Sequence, residues 1–244
     1  MKIFLSSLEN GENTLILERG GMLYNLMSFY YVKGNIGLAE EIRDKSELIM
    51  IDSGAHSFQK GVKVDWLDYT RKYGEFIQSF DRENVLGYFE MDVDNIIGYE
   101  KVLELRKILE NISDKIIPVW HKNRGIEEFK KMCHDYSGKI VAITGFRNED
   151  IKDEQYMMFL KYARKCSCKV HCLGMTRQEI LKKVPFDYTD SATWKFKGLH
   201  GMVGGRKVAK DFSKKHRDKV FFATYLEGMA QQRYYENFWR KYDK

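Results

Sequence analysis

The chain has 244 residues, of which 43% are hydrophobic, and it carries a formal net charge of +6 with a sequence pI near 8.9. That composition supplies a sizeable core, and no stretch approaches the ~18 apolar residues of a membrane span. The mild basicity permits a polyanionic partner such as nucleic acid without requiring one, since a lysine-rich solvated surface has the same charge.

The opening MKIFLSSLENGENT holds an apolar run too short for a secretory signal and reads as a buried first strand. A soluble, cytoplasmic protein is expected, with four cysteines that need not pair. Only two prolines occur and no Gly/Ser/Pro-rich linker, so residues 1–244 are read as one domain.

In chain order, short apolar runs alternate with stretches of helical period. Strands are predicted at Lys2–Leu5, Leu48–Ile51, Val85–Met91, Lys115–Trp120, Lys139–Ile143, Lys169–Leu173 and Phe186–Tyr188, with a last one at Lys219–Ala223. Helices are predicted at Val64–Phe80, Ile97–Glu110, Ile126–Tyr136, Glu154–Lys165, Thr176–Lys183 and Gly228–Tyr242. This alternation predicts an α/β fold, a single (β/α)8 TIM-type barrel. The rival, an open doubly wound sheet, needs a Gly-rich turn after its first strand, and SSLENGENT lacks one.

The chemistry gathers at strand ends. LIMI runs into Asp52-Ser53-Gly54-Ala55-His56, GYFEM into Asp92-Val93-Asp94, and IIPVW into His121. IVAI runs into Thr144-Gly145, HCL into Gly174, and FDYT into Asp190. One aspartate after a strand is usually a helix cap. Six such ends in register instead describe the mouth of a barrel, where active sites form.

Over residues 48–195 these motifs resemble the tRNA-guanine transglycosylase superfamily, most nearly its short phage-type members that place 7-deazaguanine bases in DNA. DSGAHSF is similar to that family's Asp-Ser-Gly-Gly-aromatic motif, VAITG and HCLG to its glycine-bearing strand ends, and TDSATW to the segment of its nucleophile. The resemblance implies an enzyme of the pentosyltransferase class. Asp190 would attack C1′, expel guanine and form a covalent glycosyl-enzyme that a 7-deazaguanine then resolves. Asp52, followed by Ser53 and Gly54, would contact the base edge or act as general base. Asp92, or alternatively Asp94, would accept from the guanine N1–H and exocyclic amine. His121 stands where the family has a base-contacting glutamine. His56 and Leu173 would sandwich the base, His56 replacing the usual aromatic, with backbone N–H groups near Thr144 and Gly145 contacting its carbonyl oxygen and Gly174 in the stretch that flanks it. The bland alternatives remain open: a cap for Asp190, metal binding or charge balance for Asp92, and a carboxylate-satisfied histidine for His121.

Cys166, Cys168 and Cys172, beside His171, have the composition of a zinc set. Strand alternation sends His171 and Cys172 to opposite faces, so core cysteines are preferred and no metal or redox cofactor is expected. Trp194, Lys195, Lys197, Arg206 and Lys207 follow Asp190 in a glycine-interspersed segment, a candidate nucleic-acid grip, with a solvated loop as the alternative. The chain ends soon after the barrel, which favours DNA over tRNA as the partner. A related N-glycoside hydrolase would use the same carboxylates. A silent binding module would not need them, and a metallo-phosphohydrolase would need more histidines. No heptad or stripe identifies an oligomer interface.

Overall fold

The computed structural model describes residues 1–58, 64–145, 150–208 and 213–242, and of His56 the backbone alone. The elements run β1 (Lys2–Ser6), α1 (Thr14–Arg19), β2 (Met22–Ser28), α2 (Phe29–Val32), α3 (Ile36–Lys45), β3 (Ser46–Asp52), α4 (Trp66–Phe80), β4 (Val85–Phe89), α5 (Asp94–Ile97) and α6 (Tyr99–Glu110). They continue β5 (Ile116–Ile117), β6 (Val119–Trp120), α7 (Gly125–Asp135), β7 (Ile140–Thr144), α8 (Tyr156–Lys165), β8 (Lys169–Leu173), α9 (Gln178–Leu181), β9 (Tyr188–Ser191) and α10 (Thr193–Leu199). The hairpin β10 (Met202–Val203) and β11 (Arg206–Lys207) and the long α11 (Lys214–Arg240) complete it.

The main sheet is parallel throughout, in the order β5-β4-β3-β2-β1-β9-β8-β7-β6. Its two ends, β5 and β6, are halves of one strand split at Pro118, which has no N–H for the ladder. The first half pairs with β4 and the second with β7, so the sheet closes on itself as an eight-strand TIM-type barrel.

The interior is filled from every side by Phe4, Tyr24, Leu26, Met50, Phe89, Ile117, Val119, Ala142 and Tyr188. The polar exception is His171 of β8, fully buried with its ring 5.0 Å from Phe89 and 6.3 Å from Phe4. Cys172, the next residue, faces outward into the layer between β-strands and helices with Val170, Met175 and Leu181, as alternation requires.

Two predicted elements are corrected. Lys219–Ala223 is not a strand but part of α11, whose buried residues Val220, Phe221, Thr224, Tyr225, Gly228, Met229, Gln232 and Tyr235 recur every three or four positions. The missing strand is β2. Met22–Ser28 contains no β-branched residue and is interrupted by Asn25, which the strand pattern alone cannot place in a core. Asn25 is fully buried because partners distant in sequence satisfy it: it donates to Ser46 Oγ at 2.9 Å and accepts from Tyr225 Oη at 2.8 Å.

Helix α11 therefore holds the β1–β2 seam. Gly228 lets it approach closely, since a Cβ there would lie 2.9 Å from Leu5 Cδ1, and buried Gln232 donates to the carbonyls of Ile3 and Tyr24 at 2.8 and 2.7 Å. Replacing Gln232 by Leu is expected to lower the unfolding free energy in urea by about 2 kcal/mol, because buried strand carbonyls lose their donor.

Candidate active site

Every parallel strand ends at the same mouth. On one side lies Asp190, in β9 beside β1, where Phe4 pairs with Asp190. Its Oδ1 accepts from His171 Nε2 at 3.0 Å and from the Gly174 N–H at 2.8 Å. Its Oδ2 is 3.3 Å from Ser6 Oγ. Gly174 has φ of +64°, a left-handed conformation suited to glycine that turns its N–H back toward the carboxylate. Asp190 thus does not act as an N-cap: α10 starts beyond it, after Ala192.

Two strands further round, Ser28 of β2 pairs with Asp52 of β3. Asp52 Oδ1 accepts from the Gly54 N–H at 2.6 Å, an Asx turn. Gly54 has φ of +73°, and a Cβ on it would lie 2.4 Å from Tyr30 Cβ and 2.6 Å from Ser28 Oγ, so no other residue fits the turn. Ser53 is buried, its carbonyl accepting from Tyr69 Oη at 2.8 Å. Glu9, from the β1–α1 loop, reaches into the same corner. It is 8% exposed, accepts from the Ser28 N–H at 3.0 Å, and leaves Oε2 buried without a partner among the described residues. Burial and the nearby charge of Asp52 push its carboxyl up to about 7, against the pull of the Ser28 N–H and Lys195.

Across the mouth, the β4 end is a buried ion network. Arg124 Nη1 is 2.9 Å from Glu90, Nη2 3.2 Å from Asp92, and Nε 3.1 Å from Asp94. His121 Nε2 is 2.8 Å from both oxygens of Asp92, and its Nδ1 is 3.1 Å from Asp150, which also accepts from Thr144 Oγ1 at 2.8 Å. Burial alone would lower the imidazole's pKa, but the hydrogen bond and charge of Asp92 outweigh it and raise it. Asp94 is likewise held below the usual carboxylate range, Arg124 and Asn123 overcoming the cost of burial. Asp92, Asp94 and His121 lie close enough to share a cation, yet the Arg124 guanidinium already supplies that charge from between the carboxylates.

The remaining predicted residues divide. Leu173 and Thr144 pair across β7 and β8 at the mouth. The Gly145 N–H, expected to meet the base, instead donates to the Leu173 carbonyl at 2.8 Å, and a Cβ at Gly145 would strike Cys172 Sγ at 2.8 Å. The side chain of His56, expected to stack, lies outside the described atoms. Trp194 and Lys195 are corrected as surface residues: Trp194 is 2% exposed, donates to the Ser6 carbonyl at 2.9 Å and packs on Phe221 and Tyr225, while buried Lys195 bonds the Asn10 carbonyl. Burial lowers the Lys195 pKa. Lys197 pairs with Glu227 at 2.9 Å, and Arg206 and Lys207 are exposed on the hairpin.

The three cysteines weighed as a zinc set, and not preferred as one, do not meet at one point. Cys166 and Cys168 precede β8 and Cys172 is near its far end, ~13 Å along an extended strand. Cys168 Sγ lies instead 3.2 Å from the Cys133 carbonyl and 3.3 Å from that of Tyr136.

Sequence reasoning missed Ser6, Glu9, Glu90, Arg124, Asp150 and His171. Three carried a readable signal. Glu90 lies near the end of a predicted strand, Arg124 follows another by four residues, and His171 occupies an inward position of a third. Glu9 and Asp150 sit in loops whose course no local pattern fixes. No known protein-family profile matches the chain, and no curated protein matches it.

Glu9 makes a pH-dependent prediction. Its folded pKa exceeds the ordinary 4.5, so its contribution to stability is complete below about 4.5 and is lost as pH rises through about 7. Wild type is expected to lose up to about 3 kcal/mol between pH 5 and 8 relative to Glu9→Gln in denaturant titrations, and parallel curves would show that Glu9 ionises freely.

Proposed function

We propose that the chain is a guanine transglycosylase acting on nucleic acid, DNA in preference to tRNA, that exchanges guanine for a 7-deazaguanine base. The observation that carries this reading is the placement of Asp190. Its carboxylate stands at the barrel mouth with one oxygen held by two N–H donors, diametrically across the sheet order from Asp92 of the β4 end. A purine seated between them would present its sugar C1′ to Asp190 and its N1–H and exocyclic amine to Asp92.

In the first half-reaction a bond forms from Asp190 to C1′ as the electron pair of the glycosidic C–N bond leaves with guanine. In the second, the incoming base forms its own C–N bond and the electron pair of the ester bond returns to Asp190. Asp52 would pass a proton to the departing base and take one from its replacement, so the cycle closes without net proton change and without a redox step. Base binding would exchange the His121 contact to Asp92 for the base's own donors, while Arg124 keeps the carboxylate fixed. Exposed Arg206 and Lys207, on the hairpin beyond Asp190, suit the flanking phosphates. The same carboxylates would also serve an N-glycoside hydrolase, in which water resolves the intermediate.

Exchange of labelled guanine into duplex DNA and into tRNA tests this directly. Incorporation into DNA is expected, falling by at least about 1000-fold in Asp190→Ala. Incorporation into tRNA alone would overturn the choice of substrate, and base release without incorporation would make the protein a hydrolase.

A further inference from the structure

We infer that His171 is a positioning residue that anchors Oδ1 of Asp190 as a neutral N–H donor and so makes Oδ2 the attacking oxygen. This rests on the reading of Asp190 as nucleophile. It adds which oxygen reacts and which residue decides it.

The imidazole is fully buried in the barrel interior, edge-on to Phe89 at 5.0 Å. Its Nε2 is 3.0 Å from Asp190 Oδ1, while its Nδ1 is buried and has no partner among the described residues. A carboxylate oxygen has no proton to give, so Nε2 carries the one between them, and a second proton on Nδ1 would bury an unsatisfied donor among apolar side chains. The network therefore assigns the single proton to Nε2, directed at Asp190. A neutral donor orients the carboxylate and leaves its negative charge in place, which an imidazolium would cancel.

The two oxygens of Asp190 are consequently unlike. Oδ1 accepts two N–H bonds, from His171 at 3.0 Å and from the Gly174 backbone at 2.8 Å. Among the described residues Oδ2 has a single contact, to the Ser6 hydroxyl at 3.3 Å, at the long end of the range and from a group that can rotate away. When Oδ2 bonds to C1′ and the glycosidic electron pair departs with the base, Oδ1 becomes the ester carbonyl oxygen and keeps both donors. When the incoming base attacks, the electron pair of the C1′–Oδ2 bond returns to a carboxylate that those donors already stabilise. Asp52 handles the protons as before, so His171 neither gains nor loses one.

The register explains why a histidine can do this. His171 pairs with Tyr188 in β9, two residues below Asp190 on the same inward face. The side chain thus rises through the interior to meet the carboxylate from beneath, away from where a base would lie.

Two measurements test it. The first needs no substrate: imidazole 15N spectra of the resting protein at neutral pH should show His171 protonated at Nε2 and bare at Nδ1. The Nδ1–H tautomer, or protonation at both nitrogens, overturns the assignment. The second compares His171→Leu, which removes the donor, with His171→Gln, which keeps an amide N–H of similar reach, both checked for folding by thermal unfolding. For base exchange, kcat should fall about 100-fold in the leucine variant with KM within about twofold, and glutamine should recover most of the loss. Equal losses in both folded variants overturn the positioning role. If wild type exchanges no base, the transglycosylase reading fails by itself, and the 15N spectra still decide how Asp190 is anchored.

Discussion

Closure of a parallel sheet brings all its C-terminal strand ends to a single mouth, and the polar chemistry of this protein is arranged by that constraint. Closure depends on the strand around Pro118. The proline cannot donate to a neighbour, so the halves on either side of it pair separately, Ile116–Ile117 with β4 and Val119–Trp120 with β7. Just past the break, the Val119 N–H donates to Glu90 Oε1 at 2.8 Å, tying the seam of the barrel to the ion network beside it.

That network sets the electrostatics of half the mouth. Glu90, Asp92 and Asp94 would repel one another in a low-dielectric setting, and Arg124 holds them together from between. Tyr99 lies against the guanidinium, 4.5 Å from its centre, and Arg106 takes the other oxygen of Glu90. On the opposite side, no such cation contacts Asp190 among the described residues. Its carboxylate is held by the His171 imidazole, a backbone N–H and a hydroxyl. One side of the mouth is thus built to keep charge fixed and paired, and the other to keep it oriented but available. A nucleophile and a base-reading group need those two different treatments.

Much of this was legible in the sequence. Alternation of strand and helix patterns gave the barrel, and Asp52, Asp92, His121 and Asp190 were visible because each follows an apolar run directly. Alternation within Lys169–Leu173 also separated His171 from Cys172. The pattern failed where satisfaction comes from afar. β2 was invisible because Asn25 looks unfit for a core until Ser46 and Tyr225 supply its bonds. Lys219–Ala223 has strand-like composition, but its neighbours complete a helical stripe. Trp194 and Lys195 read as a basic aromatic surface because composition cannot tell that α10 turns them inward. Glu9 could not be found at all, since only the folded loop carries it to Ser28 and Asp52.

Asp190 is proposed to form a covalent bond to the sugar. Intact-protein and peptide mass spectrometry, after rapid quenching with guanine-containing duplex DNA, measures that directly. The account predicts a nucleic-acid adduct on the peptide bearing Asp190, formed in wild type and discharged by added 7-deazaguanine base. An adduct on the peptide of Asp52 or Asp92, or release of guanine with no adduct at any time point, would contradict it.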